Sequence, residues 1–222
     1  YRLLEDEKNP KTLQWIYDQA GTTKEYLASI PFRLPLKNRL FELYDYPRQG
    51  RPKYIGDKWM FYRNDGLQNH SVLYIAEDLD KEAEVLIDPN KFSKDGSISL
   101  AGTYPSPDGK YLAYSISESG SDWKTILIKD IESGKDLSDT IRNVKFSGAT
   151  WYQDGFYYAR YDRDPDNQMS AVNDSRKLFY HKLGTSQDSD EMFYRRKDDP
   201  KISFGLQTTD DERFMFLYHY RG

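Results

Sequence analysis

The chain has 222 residues, of which 37% are hydrophobic and 31% charged, with a formal net charge of −4. This composition excludes an intrinsically disordered chain, because 15% of the residues are aromatic and can build a core. The one basic run, Arg195–Lys197, is followed at once by two aspartates, which argues against a nucleic-acid surface. No apolar run approaches the roughly 20 residues of a membrane span. We therefore expect neither a nucleic-acid nor a membrane partner.

The sequence contains no cysteine, which removes disulfides and thiol chemistry from consideration. This fits a reducing compartment but also suits the periplasm, so a cytoplasmic and a periplasmic location both stay open. Because the chain begins with Tyr1 and not with Met, we expect a mature protein or an excised fragment.

Residues 1–48 are predicted to form a short α-helical segment. Asn9 is a good N-cap, and Pro10 suits the first helical position, where its missing N–H costs nothing. Apolar residues then recur at helical spacing, namely Leu13, Ile16, Tyr17 and Ala20. Gly21 weakens the pattern locally, and Pro31 ends the helix.

A second, shorter helix is predicted before Pro47. Its apolar residues are Leu36, Leu40, Phe41 and Leu43. Two helices this short cannot form a core of their own. We expect their apolar faces to lie outside the β-rich part of the chain, partly uncovered.

Residues 49–222 have the pattern of β-strands, and the clearest unit is a hairpin at Ser106–Asp130. It opens with a Ser-Pro-Asp-Gly turn, in which Pro107 fixes φ and Gly109 supplies a positive φ. Apolar and small residues alternate along the next strand, which predicts one buried face. A lone hairpin is not stable, so it needs repeats.

Degenerate repeats are present. Similar units, each with an Asp- or Gly-rich turn and an aromatic strand, occur at 54–62, 150–158 and 209–217, at intervals of about 45–57 residues. Four-stranded β-propeller blades recur at roughly 40–50 residues. The pattern favours a propeller over the alternative, an ordinary antiparallel sandwich.

No motif in the sequence indicates a catalyst, a cofactor or a metal. There is no G-x-S-x-G elbow and no glycine-rich phosphate loop, and the three histidines lack metal-ligand spacing. Asp162, Asp164 and Asp166 resemble the start of an EF-hand, but Asn167 and Asn173 stand where its Gly and Glu are needed. A solvated loop is the better interpretation.

Two residues are candidates for a binding site. Asp122 lies in a Gly-Ser-Asp-Trp turn at the start of a strand, where propeller loops converge on one rim, and Phe146 lies in a Val-Lys-Phe-Ser-Gly stretch. The alternatives are a turn-capping role for Asp122 and a core position for Phe146.

Five stretches of the chain resemble the amino-terminal part of the prolyl oligopeptidase family of serine peptidases. They are YRLLED at 1–6, YRNDGLQN at 62–69, SPDGKYLAY at 106–114, SESGSDW at 117–123 and VKFSG at 144–148. The resemblance covers essentially the whole chain, but only about the first third of a typical family member.

The resemblance implies a fold and an activity. Family members pair an α/β-hydrolase domain with a seven-bladed propeller, which covers the active site and admits short peptides that are cleaved after proline. The serine, aspartate and histidine of the triad lie in the carboxyl-terminal domain, on which the amino-terminal helices pack, and no cofactor is used. The chain is then mainly β: about three and a half blades at 49–222, preceded by the helical segment at 1–48, with the last blade unfinished. By itself it is predicted to be inactive.

The resemblance also assigns roles to both candidates. Asp122 matches a family aspartate at the domain interface that helps to hold the amino-terminal side of the substrate, and Phe146 matches a phenylalanine lining the subsite beyond the proline pocket. An anchoring family arginine falls near Tyr220 or Arg221 without a clean match, so the cation that pairs with Asp122 stays open. The alternative function is a non-catalytic propeller scaffold that binds protein partners.

Overall fold

The computed structural model describes residues 2–6, 8–162 and 174–221. The chain divides into two compact units. One consists of Tyr1–Pro47 with Asp65–Leu67, and the other of Arg48–Asn64 with Gln68–Gly222. Within the described residues, no helix has the length and apolar character needed to cross a membrane.

The first unit contains the two predicted helices, α1 (Pro10–Ser29) and α2 (Arg33–Tyr44), after a 3₁₀ turn at Arg2–Glu5. The side chain of Asn9 accepts a hydrogen bond from the Lys11 N–H at 3.0 Å, which confirms the predicted cap. Helix α1 runs without a break through Gly21. The Thr12 hydroxyl donates to the Leu3 carbonyl at 2.8 Å and so ties α1 to the 3₁₀ turn.

The apolar residues of both helices are largely uncovered, as expected. Leu13 and Ile16 of α1 are 43% and 47% exposed, and Leu40 and Phe41 of α2 are each 46% exposed. Exposed apolar faces of this kind are typical of surfaces that another part of a protein covers.

The second unit contains fifteen described strands. They are β1 (Arg48–Gln49), β2 (Lys53–Ile55), β3 (Lys58–Asn64), β4 (Val72–Ala76), β5 (Glu84–Ile87), β6 (Ile98–Pro105), β7 (Tyr111–Glu118), β8 (Trp123–Asp130), β9 (Asp136–Lys145), β10 (Thr150–Tyr152), β11 (Gly155–Arg160), β12 (Lys177–Lys182), β13 (Glu191–Arg195), β14 (Ser203–Thr208) and β15 (Met215–Tyr220).

These strands pair as antiparallel meanders, each of which is one blade. The first blade is β2 to β5, with β1 paired to the end of β3; the second is β6 to β9, and the third is β10 to β13. One residue pair, Val144 with Arg160, connects the second blade to the third. The hairpin β14–β15 begins a fourth. The predicted mainly β fold of about three and a half blades is confirmed, and the described strands do not close a ring.

The turns of the repeated units lie against one another. Gly56, in the turn of the first blade, approaches Gly109 so closely that a Cβ on Gly109 would lie 2.7 Å from the Gly56 Cα. The N–H of Gln153 in the third blade donates to the Glu212 carboxylate in the turn of the fourth, at 3.0 Å. The turns that revealed the repeat therefore meet at one end of the blades.

The core lies between successive blades, which corrects one prediction. Leu112 and Tyr114 of β7 pack with the first blade, while Ala113, on the other face of the same strand, packs with Ile126 and Phe156. Both faces of β7 are buried, whereas the alternation predicted one. The reason is that a stacked blade has a neighbouring blade on each side, so both of its faces are covered.

Candidate functional site

The structure brings Asp122 and Phe146 to the same end of the second blade. Asp122 lies in the turn between β7 and β8, and Phe146 directly follows β9. Strands β8 and β9 are neighbours, and Trp123 is the cross-strand partner of Lys145. The residues next to both candidates therefore face each other directly.

Lys145 occupies the centre of this group, and the sequence analysis missed it. Its side chain is only 10% exposed, and its Nζ atom lies 4.0 Å from Oδ2 of Asp122. The same ammonium group lies 5.1 Å from the centre of the Trp123 ring and 5.2 Å from that of Phe146. Aromatic faces attract a cation, so the two rings and the carboxylate together compensate a largely buried charge.

Asp122 keeps most of its carboxylate open, since 62% of its side chain is exposed. The backbone of its turn is capped by a neighbour: the Trp123 N–H donates to the Ser121 hydroxyl at 3.1 Å. Asp122 is thus placed beside a cation and can still reach a second partner.

Phe146 is not a core residue, so that alternative is wrong. It is 51% exposed and has a φ of 52°, in the left-handed region that few non-glycine residues adopt. Its carbonyl oxygen accepts a hydrogen bond of 2.7 Å from Nη2 of Arg176. The hydroxyl of Ser147 accepts from the Ala159 N–H at 2.9 Å, which holds the following residue against β11.

The family arginine falls near Tyr220 and Arg221, but neither residue contacts Asp122 among the contacts of the described residues. The Tyr220 hydroxyl accepts a hydrogen bond from Nη1 of Arg176 at 3.0 Å. Arg221 pairs with Asp199. In the part of the chain that the structure describes, Lys145 is the cation that pairs with Asp122.

A cavity of about 450 Å³ lies beside this group and shares Trp123 with it. Ile98 and Ile116 supply apolar lining, while Glu118 and Arg142 contribute charged groups.

A second polar cluster, fully buried, joins β9 to β12. His181 contacts Asp139 through Nε2 at 3.0 Å and Asp190 through Nδ1 at 2.7 Å. The Tyr158 hydroxyl donates to the other oxygen of Asp190 at 2.7 Å. Burial acts to lower the pKa of His181, but the hydrogen bonds to Asp190 and Asp139 outweigh it and raise that pKa.

The described residues contain no group of three or more acidic or histidine side chains that could hold a metal ion. Of the three aspartates considered for calcium, Asp162 pairs with Lys177 at 2.5 Å. Asp164 and Asp166 lie outside the described residues.

Comparisons with known proteins agree with this architecture. Residues 1–222 match the family profile described as prolyl oligopeptidase, N-terminal β-propeller domain. The chain is 42% identical over 219 residues to a prolyl endopeptidase of Elizabethkingia meningoseptica, with 98% of this chain and 31% of that protein covered. It is 34% identical over 247 residues to prolyl oligopeptidase A of Amanita bisporigera, with 98% and 32% covered.

Solved structures of prolyl oligopeptidases and endopeptidases also resemble this chain. A structure from a structural and mechanistic analysis of two prolyl endopeptidases superposes with a TM-score of 0.92 at 30% identity, over 100% of this chain and 33% of that one. Prolyl oligopeptidase B of Galerina marginata, bound to a 35-residue hydrolysis and macrocyclization substrate, gives 0.86 at 28% identity, over 98% and 33%. The chain thus spans about a third of the length of the relatives it matches. Because the match runs from its first residue to its last, the chain belongs to the prolyl oligopeptidase family, as its N-terminal β-propeller part.

Proposed function

We propose that this chain is the propeller part of a serine peptidase that hydrolyses short peptides after proline, and that the propeller controls access of the substrate. The observation that carries the proposal is the match of all 222 residues to the family, with relatives named prolyl endopeptidase at 42% and 41% identity. The peptide-bound structure of a relative supports a peptide as the substrate class.

In this proposal the nucleophilic serine, the aspartate and the histidine come from a carboxyl-terminal α/β-hydrolase domain, and no cofactor takes part. The exposed apolar faces of α1 and α2 are where that domain would pack. The chain contributes binding groups, which matches the absence of a G-x-S-x-G elbow from its sequence.

Asp122 and Phe146 are the binding groups. The exposed Asp122 carboxylate would pair with the ammonium group at the amino-terminal end of a peptide. The half-exposed Phe146 ring would pack on a residue upstream of the proline. Neither touches the reacting carbonyl, so their loss should raise KM more than it lowers kcat.

The test replaces each residue in the full-length enzyme and compares peptides with and without residues upstream of the proline. We expect Phe146→Ala to raise KM for the longer peptides about tenfold. Asp122→Ala should raise it only a few-fold, because the carboxylate is exposed.

Two variants at other ends of the blades serve as controls. Glu132→Ala removes an exposed carboxylate from the turn after β8, and Phe214→Ala removes a phenyl ring that is 59% exposed, just before β15. Both should leave KM unchanged. If Asp122→Ala and Phe146→Ala also leave KM unchanged while lowering the melting temperature, both residues are structural and the proposed roles are wrong.

A further inference from the structure

Phe146 is held in place through its backbone. Its left-handed φ of 52° costs energy in a non-glycine residue and persists only where contacts enforce it. The hydrogen bond of 2.7 Å from Arg176 to its carbonyl is such a contact. Because the backbone sets the direction of Cβ, a group that fixes this carbonyl also fixes where the ring points.

Arg176 is an unusual residue for this task. It is only 6% exposed, and its two terminal nitrogens donate to neutral acceptors, the Phe146 carbonyl and the Tyr220 hydroxyl. Its Nε atom is buried without a hydrogen-bond partner, and the described residues include no carboxylate paired with it. The guanidinium carbon also lies 5.6 Å from the ring centre of Phe204 in β14.

Among the described residues this buried guanidinium has no carboxylate partner, and a buried cation that lacks one is costly to stability. Arg176 lies directly before β12, in the third blade. Its contacts link residue Phe146, after β9 of the second blade, to the hairpin β14–β15 of the fourth. If the residue at this position only had to fill space, an apolar side chain would do so without the desolvation penalty of a buried charge. The arrangement therefore points to a role in holding the two groups that Arg176 contacts, the Phe146 carbonyl and the Tyr220 hydroxyl.

We propose that Arg176 is a positioning residue: anchored by the Tyr220 hydroxyl, its guanidinium fixes the Phe146 backbone and so presents the Phe146 ring to the peptide residue upstream of proline. This inference rests on the proposed function of Phe146. If it holds, the orientation of the Phe146 ring depends on contacts that link the second blade to the fourth through Arg176.

The experiment uses the full-length enzyme with two readouts. Arg176→Met removes the donors but keeps an unbranched side chain, Arg176→Lys keeps the charge, and Tyr220→Phe removes only the acceptor. We expect Arg176→Met to raise KM about tenfold for peptides extended upstream of proline, the weight of one charge-assisted hydrogen bond, with kcat nearly unchanged. Arg176→Lys should recover part of this loss, and Tyr220→Phe should show a smaller change in the same direction.

The second readout does not depend on activity. A 4-fluorophenylalanine incorporated in place of Phe146 reports the surroundings of the ring by fluorine NMR, and its resonance should shift or broaden in Arg176→Met and in Tyr220→Phe. Arg160→Met is the matched control, since Arg160 lies 4.1 Å from the Phe179 ring centre in the same blade and is not bonded to Phe146. It should leave the resonance and KM unchanged.

The outcomes separate the two proposals. If Phe146→Ala raises KM while Arg176→Met and Tyr220→Phe leave the fluorine resonance and KM as they were, the positioning role is overturned and the proposed function stands. A KM increase in Arg176→Met that is equal for short and long peptides also overturns it. If Phe146→Ala has no effect on KM, the proposed role of Phe146 fails, and the substrate part of this inference fails with it.

Discussion

The ammonium group of Lys145 lies 4.0 Å from the carboxylate of Asp122, and the two side chains differ sharply in exposure, at 10% and 62%. The cation is buried under the Trp123 and Phe146 rings, while the anion faces outward. Lys145 therefore acts on both candidate residues at once: it compensates part of the Asp122 charge, and its ammonium group lies 5.2 Å from the centre of the Phe146 ring.

Lys145→Met should change the preference for charged peptides. The substitution keeps most of the side-chain length but leaves Asp122 without its cation, so its carboxylate becomes freer to pair with a substrate ammonium group. We expect the ratio of KM for acetylated peptides to KM for peptides with a free amino terminus to rise a few-fold in the full-length enzyme. Taking this ratio cancels any effect on Phe146, which both peptides share.

Lys129→Met is the control for that experiment. The Lys129 side chain is also only 10% exposed, and it pairs with Asp136 at 2.9 Å, at the opposite end of β8. It should lower stability without changing the ratio. An unchanged ratio in Lys145→Met would mean that Asp122 does not meet the substrate ammonium group.

The buried His181 cluster predicts a pH-dependent stability. An imidazolium ring can donate to both Asp139 and Asp190, whereas a neutral ring has only one N–H, so folding favours the protonated form and the pKa of His181 is raised. The stabilisation is fully present below the unfolded value of about 6.5 and is lost as pH rises through the raised pKa of the folded state.

Melting temperatures of the chain and of His181→Asn between about pH 6 and pH 9 test this. The difference between the two proteins should be largest at the acidic end and shrink as pH rises. His70→Asn serves as the control, because within the described residues His70 contacts the Gly96 carbonyl and no carboxylate. A difference that stays constant with pH would show that folding does not raise the pKa of His181.

Two glycines should respond to alanine in opposite directions. A Cβ at Gly21 in α1 meets nothing within 4 Å, so Gly21→Ala should stabilise the helix by about 1 kcal/mol through its higher helix propensity. A Cβ at Gly155 in β11 would lie 2.0 Å from the His181 carbonyl oxygen, so Gly155→Ala should destabilise the blades by roughly 1–3 kcal/mol.

Helix content in Gly21→Ala is measured by circular dichroism. The stability of Gly155→Ala is measured by urea unfolding monitored through tryptophan fluorescence. Loss of helicity in Gly21→Ala would show that α1 is covered at that position. An unchanged urea midpoint in Gly155→Ala would contradict the close contact between β11 and β12.

The 222-residue chain alone should not hydrolyse peptides, since we place the nucleophile in another domain. The purified chain is assayed with a chromogenic Gly-Pro substrate, beside the full-length enzyme as the positive control. Turnover that a serine-directed covalent inhibitor abolishes, in a preparation free of host peptidase, would refute this.

The sequence alone determined the local elements and their repetition. The Asn9 cap and Pro10 located the start of α1, and the Asp- and Gly-rich turns at Gly56, Gly109 and Gly155 marked the blades, because both signals depend on backbone preferences of neighbouring residues. Asp122 and Phe146 were singled out by their place in the chain, their roles came from the resemblance of short stretches to a family, and those roles stay predictions.

Tertiary structure decided what covers each face and which distant residues meet. Alternation in β7 shows which residues share a face, but only the stacking of blades buries both faces. Lys145 faces Trp123 after two register shifts between β8 and β9, which no local pattern specifies. Arg176 meets Tyr220, 44 positions away, because the second, third and fourth blades pack side by side. Such contacts depend on how sheets pack, and so they lie beyond the reach of residue periodicity.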